Sequence, residues 1–217
     1  MLIWPGKLWS TRIKLLSSAD YNRRLKIAII KYNAGNIKSV DFALRRLGHD
    51  PILTNDPDVI RTADKVIFPG VGEAGTTMKF LKEHELDKLI RELKQPVLGI
   101  CLGMQLLCSF SEESDTECIG IFNASVKKFK GENKVPHMGW NKVHKVAGKL
   151  IPAHIDGEYF YFVHSYYVPL CEYTSAISNY IKLFSAVLER DNFFATQFHP
   201  EKSGKTGEEI LRTFISI

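Results

Sequence analysis

Cysteine is scarce in this chain: four of 217 residues, Cys101, Cys108, Cys118 and Cys171, with no CxxC spacing and no paired CxxC…HxxxH arrangement. That pattern argues against a structural zinc site and a disulfide framework, and it fits reduced thiols in a cytosolic setting. Neither a metal nor a cofactor is expected. Long apolar runs are missing too: none approaches the roughly 18–20 residues of a membrane-spanning helix, so no membrane role is expected. Internal repeats, low-complexity tracts and linkers are absent. Charge of one sign accumulates only at the start. The formal net charge is +5, and residues 1–26 hold Lys7, Arg12, Lys14, Arg23, Arg24 and Lys26 against Asp20 alone. The remainder is close to neutral, which removes the case for a nucleic-acid surface.

What is present is an ordinary globular balance, 45% hydrophobic and 24% charged, in a chain long enough to bury a sizeable core. Residues 1–25 lack the continuous apolar stretch of a secretory signal. They are expected to be an extension outside the fold, a start assigned too far upstream being favoured over a transit peptide; residues 26–217 are expected to form one domain. "LKIAII" reads as a buried strand, and "NIKSVDFALRRLG" as a helix with Asn36 as N-cap, Gly48 at its C-terminal end and Ile37, Val40, Leu44 and Leu47 on one face. "PILT", "KVIF" and "VLGI" follow as strands, with a short helix or turn over "DPDVIRTA" and helices from about Thr76 to Leu93 and over "LGMQLLCSF". After Glu117 come short strands in "SVKKF", "NKVHKV", "EYFYFVHSYYV" and "KLFSAVLERDNFFATQF", the last turning at Asp191-Asn192. A final helix capped by Thr206 closes the chain. Repeated βα alternation with near-continuous apolar strands predicts an α/β fold, an open and mostly parallel sheet flanked by helices.

Residues 99–103, Gly-Ile-Cys-Leu-Gly, have the form G-x-nucleophile-x-G between a strand and a helix. A sharp turn there lifts Cys101 off the sheet, and the glycines avoid backbone clashes. The helix that follows favours a thiolate, and the Leu102 N–H is placed to donate to an oxyanion. Taken alone, Cys101 is equally a core residue. "ATQFHPEKSG" changes that balance: His199 follows an apolar strand, and Glu201, two residues on, lies on the same side of an extended backbone. A carboxylate there holds the imidazole tautomer while the other ring nitrogen takes a thiol proton. "FPGVGEAG" ends a strand in Gly70-Val71-Gly72, whose N–H groups suit an oxyanion; a phosphate-binding turn is the competing reading, disfavoured by the lack of GxGxxG and of a following Lys-Ser/Thr pair.

With Cys101, His199 and Glu201 in that order, the chain from Lys26 to Ile217 resembles the class I (triad) glutamine amidotransferases, a flavodoxin-like fold. Within that family, "YNAGNIKSV", "FPGVGEAG", "GICLGMQLL", "VPHMGWNKV", "YFYFVHSYYV" and "ATQFHPEKSG" are similar to the glutaminase subunits of imidazole glycerol phosphate synthases, "PHMGWN" and "HPEKS" being the most discriminating. The resemblance implies hydrolysis of L-glutamine at Cys101, with His199 as base and then acid and Glu201 orienting it. It implies oxyanion stabilisation from the Gly70–Gly72 loop, active once a partner has bound its own substrate. Gln105, Glu113 and the backbone of His164, Ser165 and Tyr166 would hold the amino-acid end of glutamine. His137, Met138, Trp140 and Lys202 would face a (β/α)₈ cyclase/synthase subunit in a cytoplasmic heterodimer for histidine biosynthesis. The alternatives are a sister subunit serving anthranilate, aminodeoxychorismate or pyridoxal phosphate synthesis, a catalytically silent module on the same fold, and a free-standing cysteine hydrolase.

Overall fold

The computed structural model describes residues 25–32, 37–70 and 72–217. The expectations for residues 1–24, for Asn36 as a cap and for Val71 lie outside those residues. The first half alternates as anticipated: β1 (Ile27–Ile30), α1 (Lys38–Arg46), β2 (Ile52–Thr54), α2 (Pro57–Thr62), β3 (Lys65–Phe68), α3 (Ala74–Glu83), α4 (Leu86–Glu92), β4 (Val97–Ile100) and α5 (Leu102–Leu106). The second half is strand-rich: β5 (Cys108–Ser111), β6 (Thr116–Glu117), β7 (Phe122–Lys128), β8 (His137–Lys142), β9 (His144–Lys145), β10 (Tyr159–His164), β11 (Tyr166–Tyr167), β12 (Thr174–Tyr180), β13 (Lys182–Arg190) and β14 (Phe193–Thr196), before the closing helix α6 (Gly204–Ser216).

Eight strands form one sheet in the order β2-β1-β3-β4-β14-β13-β12-β9. The first five run parallel and the last three are antiparallel additions. The parallel part has the flavodoxin-like order 2-1-3-4-5, with β14 in fifth place. Strands β1, β3, β4 and β14 are buried along their whole length, as unbroken apolar runs require when helices cover both faces. Alternate side chains divide between two cores: Ala28, Ile30, Val66, Phe68 and Val97 enter one, Ile27, Ile29, Ile67, Leu98 and Ile100 the other. Two smaller sheets, β10-β8 and β11-β7-β5-β6, stand beside the main one.

Several local expectations are corrected. The helix anticipated from Thr76 to Leu93 is two helices, broken at His84–Glu85, with Glu85 at φ 54°. Ala74, Thr77, Met78 and Leu81 would lie about a third of a turn from Leu86, Leu89 and Ile90 on one continuous helix; the break re-phases the stripe so that both sets are buried. "LGMQLLCSF" is helical only to Leu106, and Cys108 opens β5, which pairs with β6 and β7 instead of extending the helix. Thr206 lies inside α6, and Ser203 precedes it; the Ser203 hydroxyl donates to the His199 carbonyl and accepts from the Tyr161 N–H. Strand β12 has no counterpart in the sequence reading. Its polar, serine-containing run "TSAISNY" hides a strand that lies between β13 and β9.

Candidate active site

Three neighbouring strand ends meet at the carboxyl edge of the parallel sheet: β3 running into Pro69–Gly70, β4 into Cys101, and β14 towards His199. Cys101 stands at φ 52°, ψ −107°, a conformation that costs about 1–3 kcal/mol for a residue with a Cβ. Interlocked glycines hold that turn. A Cβ on Gly103 would fall 2.1 Å from the Phe68 carbonyl oxygen, and one on Gly70 would fall 2.1 Å from the Ile100 oxygen and 2.2 Å from the Leu102 nitrogen. A Cβ on Gly99 would press on Leu107 at 2.7 Å. The tight turn anticipated from G-x-C-x-G is therefore observed, and its tightness comes from β3 packing against it as well as from the turn itself.

The sulfur is enclosed. The Cys101 thiol donates to the Val163 carbonyl at 3.8 Å, and the Gln197 amide donates to the sulfur at 3.8 Å. The side chains of His199 and Glu201 are 4% and 3% exposed, with His199 Nδ1 2.8 Å from Glu201 Oε1. A carboxylate oxygen accepts only, so Nδ1 carries the proton and Nε2 is left for the thiol. Nε2 is buried and has no hydrogen-bond partner among the described residues. Burial opposes a charge on His199, but the Cys101 sulfur beside it and then Glu201 outweigh that penalty and lift its pKa to about 10. The pairing is reached differently from the sequence argument. Glu201 sits in a single 3₁₀ turn, Pro200–Lys202, not on an extended strand.

A cavity of about 360 Å³ opens over this group, lined by Gly70, Gly72, Cys101, Leu102, Gln105, Glu113, His164, Ser165, Tyr166, His199 and Lys202, together with Pro136 and Val163. A larger hollow of about 540 Å³, lined by Lys26, Gly48, His49, Asp50 and Ile52, lies where β1 and β2 begin, at the amino edge of the parallel sheet and away from Cys101. Glu113 is half-buried; burial, and then the charge of Glu73, raise its pKa against the Ala74 N–H that donates to it at 2.9 Å. Gln105 is buried, not solvated as a bland helix residue would be. Its amide nitrogen donates to the Tyr166 carbonyl (2.9 Å) and to Gln197 Oε1 (3.0 Å), leaving its own carbonyl oxygen for a ligand. Glu73 caps α3 through the Gly75 and Thr76 N–H groups, and bonds from Ser114 and these N–H groups hold its pKa down at about 2.

Sequence reasoning missed Gln197, which ties Gln105 to the nucleophile. Its position was a usable signal, since it is a polar residue in an apolar strand end, two residues before His199. Sequence reasoning also put His137 on an outer face with Met138 and Trp140. Met138 and Trp140 are 63% and 56% exposed, but His137 points inward and is buried, because side chains alternate along β8.

The class-I glutamine amidotransferase family model matches residues 28–217. The chain is 58% identical over 196 residues to the imidazole glycerol phosphate synthase subunit HisH of Bacteroides thetaiotaomicron, covering 89% of this chain and all of that protein. It is 46% identical to the subunit of the same name from Pectobacterium atrosepticum, with the same coverage. Among solved structures it superimposes on a glutamine amidotransferase from Thermotoga maritima with a TM-score of 0.60 at 20% identity, over 88% of this chain and 83% of that one. On its sequence and its fold, the chain belongs to the class-I glutamine amidotransferase family and, within it, to the HisH subunits.

Proposed function

We propose that this chain is the glutaminase subunit of an imidazole glycerol phosphate synthase, feeding ammonia to a (β/α)₈ cyclase subunit in a cytoplasmic heterodimer for histidine biosynthesis. Residues 26–217 form its catalytic domain. The observation that carries this reading is Cys101 raised on a strained elbow beside the buried His199–Glu201 pair, in one cavity with Glu113 and Gln105.

The glutamine α-ammonium meets the Glu113 carboxylate and the free oxygen of Gln105, and the α-carboxylate meets the backbone of His164–Tyr166. That places the side-chain amide over Cys101. Cys101 gives its proton to His199 and its sulfur attacks the amide carbon; Leu102 and the Gly70-Val71-Gly72 loop stabilise the oxyanion. His199 then passes the proton to the leaving nitrogen, ammonia departs, and a γ-glutamyl thioester remains. Water, deprotonated by His199, releases glutamate and restores the thiol. One oxyanion donor is worth on the order of 10²–10³ in rate, enough for the loop to act as a switch. Met138, Trp140 and Lys202 face the partner and keep ammonia from water, where protonation would end its use as a nucleophile.

The test is Cys101→Ala in the complex reconstituted with its cyclase subunit. Glutamine-dependent product formation is expected to be lost and ammonia-dependent formation kept. Survival of both activities would overturn the assignment.

A further inference from the structure

His137 and His164 face each other across the β8–β10 ladder, and no catalytic step uses either. Their hydrogen bonds have one consistent direction. His164 Nδ1 lies 2.7 Å from the Tyr166 carbonyl, which only accepts, so Nδ1 carries the proton and Nε2 is an acceptor. That acceptor lies 3.0 Å from His137 Nδ1, which therefore donates, leaving His137 Nε2 to accept from the Asn141 amide at 3.4 Å. The Tyr166 carbonyl is also the acceptor for Gln105, whose amide leads through Gln197 to the Cys101 sulfur. One chain of bonds thus runs from β8 to the nucleophile. Aromatic rings clamp it: His137 stacks on Tyr180 at 4.1 Å and on Phe162 at 5.0 Å, and His164 sits against Phe184 and Phe129.

Both imidazoles must be neutral for this chain to exist, because a second proton on either would set two donors face to face. Burial keeps them so. Fully satisfied buried networks specify one geometry, while a broken link leaves a buried group unpaired. The other side of β8 presents Met138 and Trp140 to the outside, so one backbone strand carries both that face and His137.

We propose that His137 and His164 are positioning residues: they fix the Tyr166 carbonyl, and with it Gln105, so that affinity for glutamine is set from the strand carrying Met138 and Trp140. This rests on the glutaminase reading and names how its substrate pocket is held.

The experiment compares the wild-type complex with His137→Phe, which keeps the stacking and removes the donor, and with His164→Ala and His164→Asn. The Asn amide can still donate to the Tyr166 carbonyl. The glutamine KM is expected to rise about tenfold in His137→Phe and at least as much in His164→Ala, with kcat within about threefold, and His164→Asn is expected to recover most of the loss. An unchanged KM in His137→Phe, or a fall in kcat alone, would overturn the proposal. If His164→Ala does not fold, His137→Phe and His164→Asn decide the matter. Nitrogen-15 NMR of the imidazoles in the wild-type chain is a readout independent of activity: both are expected as the neutral Nδ1–H tautomer, and an Nε2–H tautomer at either would refute the chain. Absence of glutaminase activity in the wild-type complex would instead strike the functional reading, leaving the tautomer result to stand alone.

Discussion

His199 and His164 line one cavity and are both buried, yet their proton affinities are driven in opposite directions. Burial, with repulsion from His137 and His199 behind it, outweighs the Tyr166 carbonyl and pushes the pKa of His164 down to about 3, and burial pushes that of His137 down to about 4. His199 suffers the same burial, but the Cys101 sulfur and Glu201 hold it up. The signs follow by linkage. For His137 and His164 the folded value lies below the ordinary 6.5, so their contribution is present above 6.5 and lost as pH falls through 4 and then 3. For His199 it is present below 6.5 and lost as pH rises through about 10. Denaturant melts between about pH 7 and pH 5 are therefore expected to show stability falling, with a shallower slope in His137→Phe, which has one such proton fewer. Glu201→Gln removes the charge that orients and supports His199; kcat is expected to fall about 10²-fold or more in steady-state glutaminase assays, with the glutamine KM little changed. The meeting of Cys101, His199 and Glu201 was legible in the sequence, because their types and spacing form a pattern that nucleophilic chemistry demands. The partner of Gln197 was not, since it lies 96 residues away in the chain; its polar type at an apolar strand end was the one local signal.

At the scale of elements, the elbow is held by contacts between elements that no single segment records. Gly103→Ala would drive a Cβ into the end of β3; it is expected to cost about 1–3 kcal/mol in thermal or denaturant melts and to abolish glutaminase activity by displacing Cys101. Tyr32, just after β1, donates from its hydroxyl to the Pro69 carbonyl at 2.5 Å, one residue before the Gly70 loop. Tyr32→Phe is expected to cost about 1 kcal/mol and to change the ratio of partner-stimulated to unstimulated glutaminase, which initial rates with and without the cyclase subunit would measure. Strands with unbroken apolar runs were readable because burial on both faces shows in composition. The α3–α4 break and the short α5 were not, since each is decided by what packs against it: re-phasing of a stripe in one case, pairing to β7 in the other.

For the whole molecule, the sheet and its two covered faces were legible from alternation alone, whereas the antiparallel extension β13-β12-β9 was only partly so, its strand β12 being polar and short of the usual pattern. The exposed Met138 and Trp140 form an apolar outer face on β8. Trp140→Ala is expected to weaken binding of the cyclase subunit by about 2 kcal/mol or more, roughly thirtyfold in Kd by calorimetry.

Strand β14 lies between β4 and β13, and it pairs Thr196 with Ile100, the residue before the nucleophile. Cys101 therefore precedes by about a hundred residues its imidazole neighbour His199, which follows β14. Over the synthesis of that stretch the thiol has no His199 imidazole beside it. Only when β14 slots into the sheet does that thiol acquire His199. Insertion of a central strand from so far along the chain is a non-local, slow event. The Cys101–His199 pair thus forms only once β14 has taken its place beside β4, so the same pairing that builds the site also marks the insertion of that strand.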